Sequence, residues 1–393
     1  MRTASADVGS RLRERAAATD RPGEGGNPAR QTMNGYRPDV VVIGVGGAGV
    51  NTVTRLRDVG LPGARLTAVD ASAQVLARAG GMPALLLDAP RRAWGTGGDM
   101  ALGAALARSA RAALRGAVAG ADLVYIVAGL AGGTGGGAAP EIARIARDAG
   151  AVTVGFGIQP FPFEARAHVE AAAMAWDALG AACDTTVCLE NRRALCVAGD
   201  RVPLDVALRV ADDVVRQAVH GIGAMLDRHG WIHVDWSTVR RVLAGGGNGC
   251  LALGLGRGDR PAATAMRAAL ASPLADMGAL RHARAVLVQV CGGDDLAVAD
   301  TAAALDDLQS RLAPDCALMA GVAQDPSLAG SAQVTVLGTG LPGAAAGATP
   351  RVRRRAGITP AASRAEGAPA AMAALVGRDR AAYRVSERLR EVV

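Results

Sequence analysis

Apolar residues in this chain fall into short continuous runs separated by stretches with helical spacing, the pattern of buried strands alternating with helices. The first run, Val40 to Ile43, ends in Gly44-Val45-Gly46-Gly47-Ala48-Gly49, after which Val50, Val53 and Leu56 line one helical face. This predicts a strand, a tight turn and a helix. Leu66 to Val69 predicts a second strand ending at Asp70. Leu123 to Val127 predicts a third, which leads through Gly129 into Gly132-Gly133-Thr134-Gly135-Gly136-Gly137. A helix is expected from about Pro140 to Asp148, and β-type sequence resumes over Ala151 to Gly157. Such alternation predicts an α/β fold with a parallel sheet covered on both faces.

From Pro203 to about Leu226 one long apolar face recurs at Leu204, Leu208, Ala211, Val215, Val219 and Ile222, a helix placed to join two domains. Beyond it, Ala285 to Val290 and Gln333 to Leu337 read as strands, and Ala262 to Ala271 and Asp300 to Leu312 as helices. The expected organisation is a disordered arm over 1–36, a nucleotide-binding domain over 37–202, a central helix over 203–228, a second α/β domain over 229–341 and a basic, mostly disordered tail over 342–393.

Composition narrows the chemistry. At 393 residues the chain exceeds one small module, and no run approaches the ~18 apolar residues of a spanning helix. The first 36 residues hold no secretory core, so a cytoplasmic location is expected. Six cysteines without a CxxC pair and five histidines without ligand spacing predict neither a disulfide framework nor a zinc site. All 43 basic residues are arginine, and the absence of lysine excludes both a GxxxxGK[ST] loop and Schiff-base chemistry.

Gly44, Gly46 and Gly49 permit a tight turn, and the helix that follows offers free N–H groups to a phosphate. The same letters fit GxGxxG, with Asp70 as a ribose-binding acid, so a Rossmann-type NAD-dependent oxidoreductase stays open, as does a simple glycine-capped turn. The second run, Gly132 to Gly137, is one that dinucleotide enzymes do not need, and its glycine content points to close ligand approach. With a third stretch, Gly95-Thr96-Gly97-Gly98-Asp99, these backbones could wrap a triphosphate.

These residues resemble the FtsZ branch of the tubulin-like GTPases from about Val40 to Leu341, through GVGGAGVN at Gly44–Asn51, GLAGGTGGGAAP at Gly129–Pro140 and PFPFE at Pro160–Glu164. The resemblance implies a GTP or GDP site. Its first loop would be Gly46, Gly47, Ala48 and Asn51, with Gly97, Gly98, Gly132, Gly133, Thr134, Gly135 and Gly136 about the phosphates. Glu164 and His168 would lie at the ribose, and Asn191 and Asp212 at the guanine. A carboxylate at Asp212 accepts from both N1 and N2 of guanine, which suits GTP over ATP. In the family, hydrolysis follows assembly, because a second-domain loop brings acids to the neighbour's nucleotide. Here that segment is His233-Val234-Asp235-Trp236-Ser237-Thr238, which makes Asp235 the catalytic candidate.

Several positions depart from the family. Thr238 stands where a second acid is usual and His233 where asparagine is; Asp70-Ala71-Ser72 replaces Asn-Thr-Asp; Leu208 replaces a stacking aromatic; His168 replaces a ribose-side arginine. Losing general-base help costs about 10²–10⁴ in rate, so slow turnover or none is expected. Whether Mg²⁺ is held without the usual aspartate stays open. The partner implied is a second copy, stacked head to tail into a filament. The alternative is a non-catalytic regulator of a conventional FtsZ. Residues 341–393 carry ten arginines against four acids, and Ala382, Val385, Leu389 and Val392 fall at helical spacing, which would suit an anionic membrane surface. No nucleic-acid partner is expected.

Overall fold

In the computed structural model, which describes residues 37–342 apart from 62, 88–93, 162, 194–203, 227–229 and 273–276, the expected alternation is present. The predicted arm, residues 343–393 of the tail and its amphipathic segment lie outside the described residues. Contacts divide the chain into Met1–Arg37 and Pro38–Val393, and every element below belongs to the second unit.

Strand β1 (Val40–Val45) runs directly into helix α1 (Gly46–Val59), followed by β2 (Ala64–Asp70) and the short β3 (Ala84–Leu86). Helices α2 (Met100–Ser109) and α3 (Arg111–Ala117) precede β4 (Leu123–Gly129) and α4 (Gly133–Asp148). Then come β5 (Val152–Gln159), α5 (Arg166–Ala182), β6 (Thr185–Glu190) and the long α6 (Leu204–Met225). The remainder comprises α7 (Trp236–Leu243), β7 (Gly247–Arg257), α8 (Pro261–Leu270), β8 (Ala285–Gly292), α9 (Val298–Gln309), β9 (Ala317–Gln324) and β10 (Ser331–Leu341).

These strands form one ten-stranded sheet in the order β3-β2-β1-β4-β5-β6-β7-β10-β8-β9. Pairing is parallel from β3 through to β7 and between β8 and β9, while β10 is antiparallel to both β7 and β8. Strands β1, β4 and β5 are buried on both faces, which explains their continuous apolar runs, while the short edge strand β3 is largely exposed. In β4, Leu123, Tyr125 and Val127 face a cluster with Val50, Val53 and Leu56 of α1 and Val215, Val219 and Ile222 of α6. Val124, Ile126 and Ala128 face the opposite cluster with Ile142 and Ile145 of α4. A third cluster packs α8 and α9 on β7, β8 and β10. No helix among the described residues is long and apolar enough to cross a membrane.

One boundary differs materially from the expectation. Helix α4 begins at Gly133, not near Pro140, so Gly133 to Gly137 are its first turns and are buried. Glycine and proline normally punctuate a helix. Here close packing outweighs that tendency: a β-carbon on Gly137 would run into the Met100 carbonyl, and one on Gly135 into that of Gly129.

Candidate functional site

The end of β1 and the end of β4 are neighbours, and at this pair the strand order reverses, leaving a crevice at the carboxyl edge of the sheet. Helices α1 and α4 both start there. Neither N-cap, Val45 or Gly132, supplies a side-chain hydrogen bond, and neither first turn carries an acid. Each therefore presents N–H groups without intrahelical partners and the positive end of its dipole. By contrast α2 is capped by Asp99, which accepts from Leu102 N at 3.0 Å.

The two uncapped ends are close together. Gly46, at φ 74°, places its Cβ direction 2.9 Å from the Gly135 nitrogen. The third glycine stretch joins them: Thr96 Oγ1 is 3.4 Å from Thr134 Oγ1, and a β-carbon on Gly133 would be 2.6 Å from Asp99 N. Gly95 N donates to the Ala71 carbonyl at 3.2 Å, which ties the segment to the end of β2. Gly97 and Gly98 are exposed at the rim.

The glycines divide by cause, and this corrects the reading that ligand approach alone explains them. Gly44, Gly49, Gly133, Gly135, Gly136 and Gly137 are each required by a neighbouring atom of the protein itself. Gly47 and Gly132 are required neither by packing nor by a positive φ, since a β-carbon on either meets nothing within 4 Å. Those two leave backbone bare toward open space, and Ala48 beside Gly47 is exposed.

Farther along the same edge, Glu164 follows β5. Its Oε1 accepts from Phe161 N at 2.8 Å and its Oε2 lies 3.1 Å from Nδ1 of exposed His168, so the histidine holds the acid in place. Asn191 directly follows β6 and is buried, and its Oδ1 has no hydrogen-bond partner, an orphan acceptor at the position expected to read a base. Asn51 and Leu208 are half-buried. Asp212, in α6, is buried. Its Oδ1 accepts from Thr52 Oγ1 at 2.5 Å, and its Oδ2 pairs with the Arg55 guanidinium. Sequence reasoning missed Thr52 and Arg55; their signal is two polar residues three apart among the apolar positions of α1. Asp70 is also buried. Desolvation raises its pKa above 3.8, opposed by hydrogen bonds from the Ser72 and Ala71 amides.

Asp235 is elsewhere. Val234 N donates to the Met225 carbonyl at the C-terminal end of α6. At 1.5 Å per residue, Met225 lies roughly 20 Å along the axis from Asp212. Asp235 caps α7, and its pKa is held down at about 2 by the Ser237 hydroxyl first, then by the Thr238 amide and hydroxyl. The Thr238 bonds are 2.9 and 3.0 Å long.

Two bare helix N-termini at the switch point of a parallel sheet are the arrangement in which α/β proteins commonly take phosphate-bearing ligands. Residues 39–199 match the Tubulin/FtsZ family, GTPase domain, and residues 247–342 the FtsZ family, C-terminal domain. Cell division protein FtsZ 1 of Archaeoglobus fulgidus is 34% identical over 317 residues, covering 79% of this chain and 84% of that protein. An FtsZ dimer from M. jannaschii aligns with TM-score 0.72 and 31% identity over 78% of this chain and 90% of the other. CetZ2 from Haloferax volcanii, 22% identical with TM-score 0.65 over 77% and 93%, shares the fold. The chain belongs to the tubulin/FtsZ family of GTPases. Its first six strands have the order of dinucleotide-binding folds, and it is the family match that assigns the glycine runs to a GTPase domain.

Proposed function

We propose that this protein binds GTP in the β1/β4 crevice and stacks head to tail into filaments, hydrolysing GTP slowly at the contact between subunits. The observation that carries the reading is the meeting of two uncapped helix N-termini at Gly46 and Gly135, a concentration of unpartnered N–H groups suited to a polyphosphate. Asn191 and Asp212 would read the base, and Glu164 with His168 would face the ribose. No group of three or more His, Cys, Asp or Glu side chains suited to a metal is present among the described residues, so Mg²⁺ would be carried mainly by the nucleotide phosphates and water.

Head-to-tail stacking follows from the separation of the parts. Asp235 follows Val234, which is bonded to Met225 at the end of α6, roughly 20 Å along the axis from Asp212, so it lies away from its own subunit's nucleotide and a neighbour's nucleotide end could meet it. Exposed apolar residues flank both partners of that contact, Phe163 beside Glu164 and Trp231 with Ile232 beside His233. Turnover is slow in this reading because Asp235 is a weak base with its carboxylate engaged in capping α7, and because Thr238 supplies no second acid.

That capping also favours a second reading, a non-catalytic nucleotide-binding regulator of a conventional FtsZ. Purification with identification of the co-purified nucleotide, then sedimentation and phosphate release across protein concentration, separates them. Guanine nucleotide, pelleting alone and concentration-dependent release are expected. Pelleting only beside a conventional FtsZ would select the regulator, and no guanine-nucleotide binding would end both. The arginine-rich tail is a candidate contact for anionic lipid. Vesicle flotation that is unchanged on deleting residues 376–393 would remove it.

A further inference from the structure

The acid proposed to read guanine is not alone in its pocket. Asp212 keeps 9% of its side-chain surface and Arg55 keeps 27%, and the two meet where α1 crosses α6. The Thr52 hydroxyl has one proton and two acceptors in reach, Asp212 Oδ1 at 2.5 Å and the Ala48 carbonyl at 3.1 Å. The charged acceptor at the shorter distance takes it. Each carboxylate oxygen has two lone pairs. Thr52 engages one on Oδ1 and Arg55 one on Oδ2, leaving one acceptor site on each oxygen.

Guanine presents two donors on one edge, N1–H and the N2 amine. Reading both requires an ionised carboxylate with both oxygens available at a fixed tilt, because a protonated acid would present a donor to a donor. A buried carboxylate remains an anion only beside a positive partner or several donors. We infer that Arg55, with Thr52, is a positioning residue for base recognition, holding the Asp212 carboxylate charged and turned so that its two remaining acceptor sites meet N1–H and N2–H of guanine. This rests on the GTP-binding reading above. It adds a prediction which that reading does not make: discrimination at the N2 amine depends on a side chain that never touches the nucleotide.

The test is equilibrium binding of GTP and of ITP, which lacks the N2 amine, to the full chain and to Arg55→Met, Arg55→Lys and Thr52→Val. A hydrogen bond to a charged group separates the two nucleotides by about tenfold or more in the unaltered protein. Arg55→Met should reduce the GTP-to-ITP ratio to within about threefold, with GTP binding falling more than ITP binding. Arg55→Lys, which keeps the charge without the planar fork, should retain an intermediate ratio. Removal of the Arg55 charge leaves Asp212 buried without its partner, so folding is followed by circular dichroism. If Arg55→Met does not fold, Arg55→Lys and Thr52→Val decide the matter, since both should lower the ratio. A ratio unchanged in the folded variants, or GTP binding that tightens in Arg55→Met, overturns the inference. Failure of the unaltered protein to bind GTP at all would instead overturn the reading beneath it.

Discussion

Gly46 and Gly135 lie against each other although they belong to different helices: a β-carbon on the first would be 2.9 Å from the amide nitrogen of the second. The contact sets two helix N-termini side by side, and Gly46 adopts φ 74° to allow it. Gly46→Ala should therefore unfold more easily, since the left-handed backbone alone costs about 1–2 kcal/mol for an L-residue. Gly47→Ala is the informative partner. Its β-carbon meets nothing within 4 Å and its φ is not positive, so helix propensity should raise stability by about 0.5–1 kcal/mol. The same methyl should weaken GTP binding by intruding on the phosphates. Urea unfolding and nucleotide titration of this variant should move in opposite directions; unaltered GTP affinity would show that the crevice does not hold phosphate there.

Thr238 spends its amide and hydroxyl on Asp235, at 2.9 and 3.0 Å. Thr238→Asp removes the hydroxyl donor and restores a second acid, so Asp235 becomes a stronger base. Phosphate release should rise by roughly tenfold or more, within the span of general-base assistance, and only at protein concentrations that support assembly. Intact GTP binding with no gain in turnover would remove the segment from the chemistry.

Trp231 is 48% exposed, one residue before Ile232, whose N–H donates to the Val322 carbonyl at 3.0 Å. In the head-to-tail contact proposed above, a tryptophan that becomes buried at the centre is a hot-spot type. Trp231→Ala should raise the critical concentration for pelleting about tenfold, equivalent to about 1.4 kcal/mol, while monomer affinity for GTP stays the same. Pelleting unchanged across concentration would place the contact elsewhere.

Asp70 is buried at the end of β2, and desolvation raises its pKa above 3.8. The folded state thus holds this proton more tightly than the unfolded chain. Ionisation at neutral pH is a stability loss, fully present above the folded-state pKa and vanishing as pH falls through it toward the unfolded value. Asp70→Asn should raise Tm at pH 7, with the gain narrowing as pH approaches 4. A pH-independent difference would mean that burial of the charge is not its cause. Removing a negative charge near the phosphate crevice should also tighten GTP binding.

Much of this was legible in the chain because strand and helix periods are local. The apolar runs at Val40 and Leu123 and the spacing along α6 define the layers, and the three glycine stretches mark the ends of β1, β4 and the segment between them. Strand β7 was illegible for the opposite reason. Its Gly254 and Gly256 interrupt the apolar run, and they are where α8 lies almost on the strand backbone. Only tertiary structure decided which glycines serve packing and which leave backbone bare, that α4 begins at Gly133, and that Arg55 meets Asp212 across a separation of 157 residues. Close approach depends on what stands opposite a residue, and the order of residues along a chain does not carry that information.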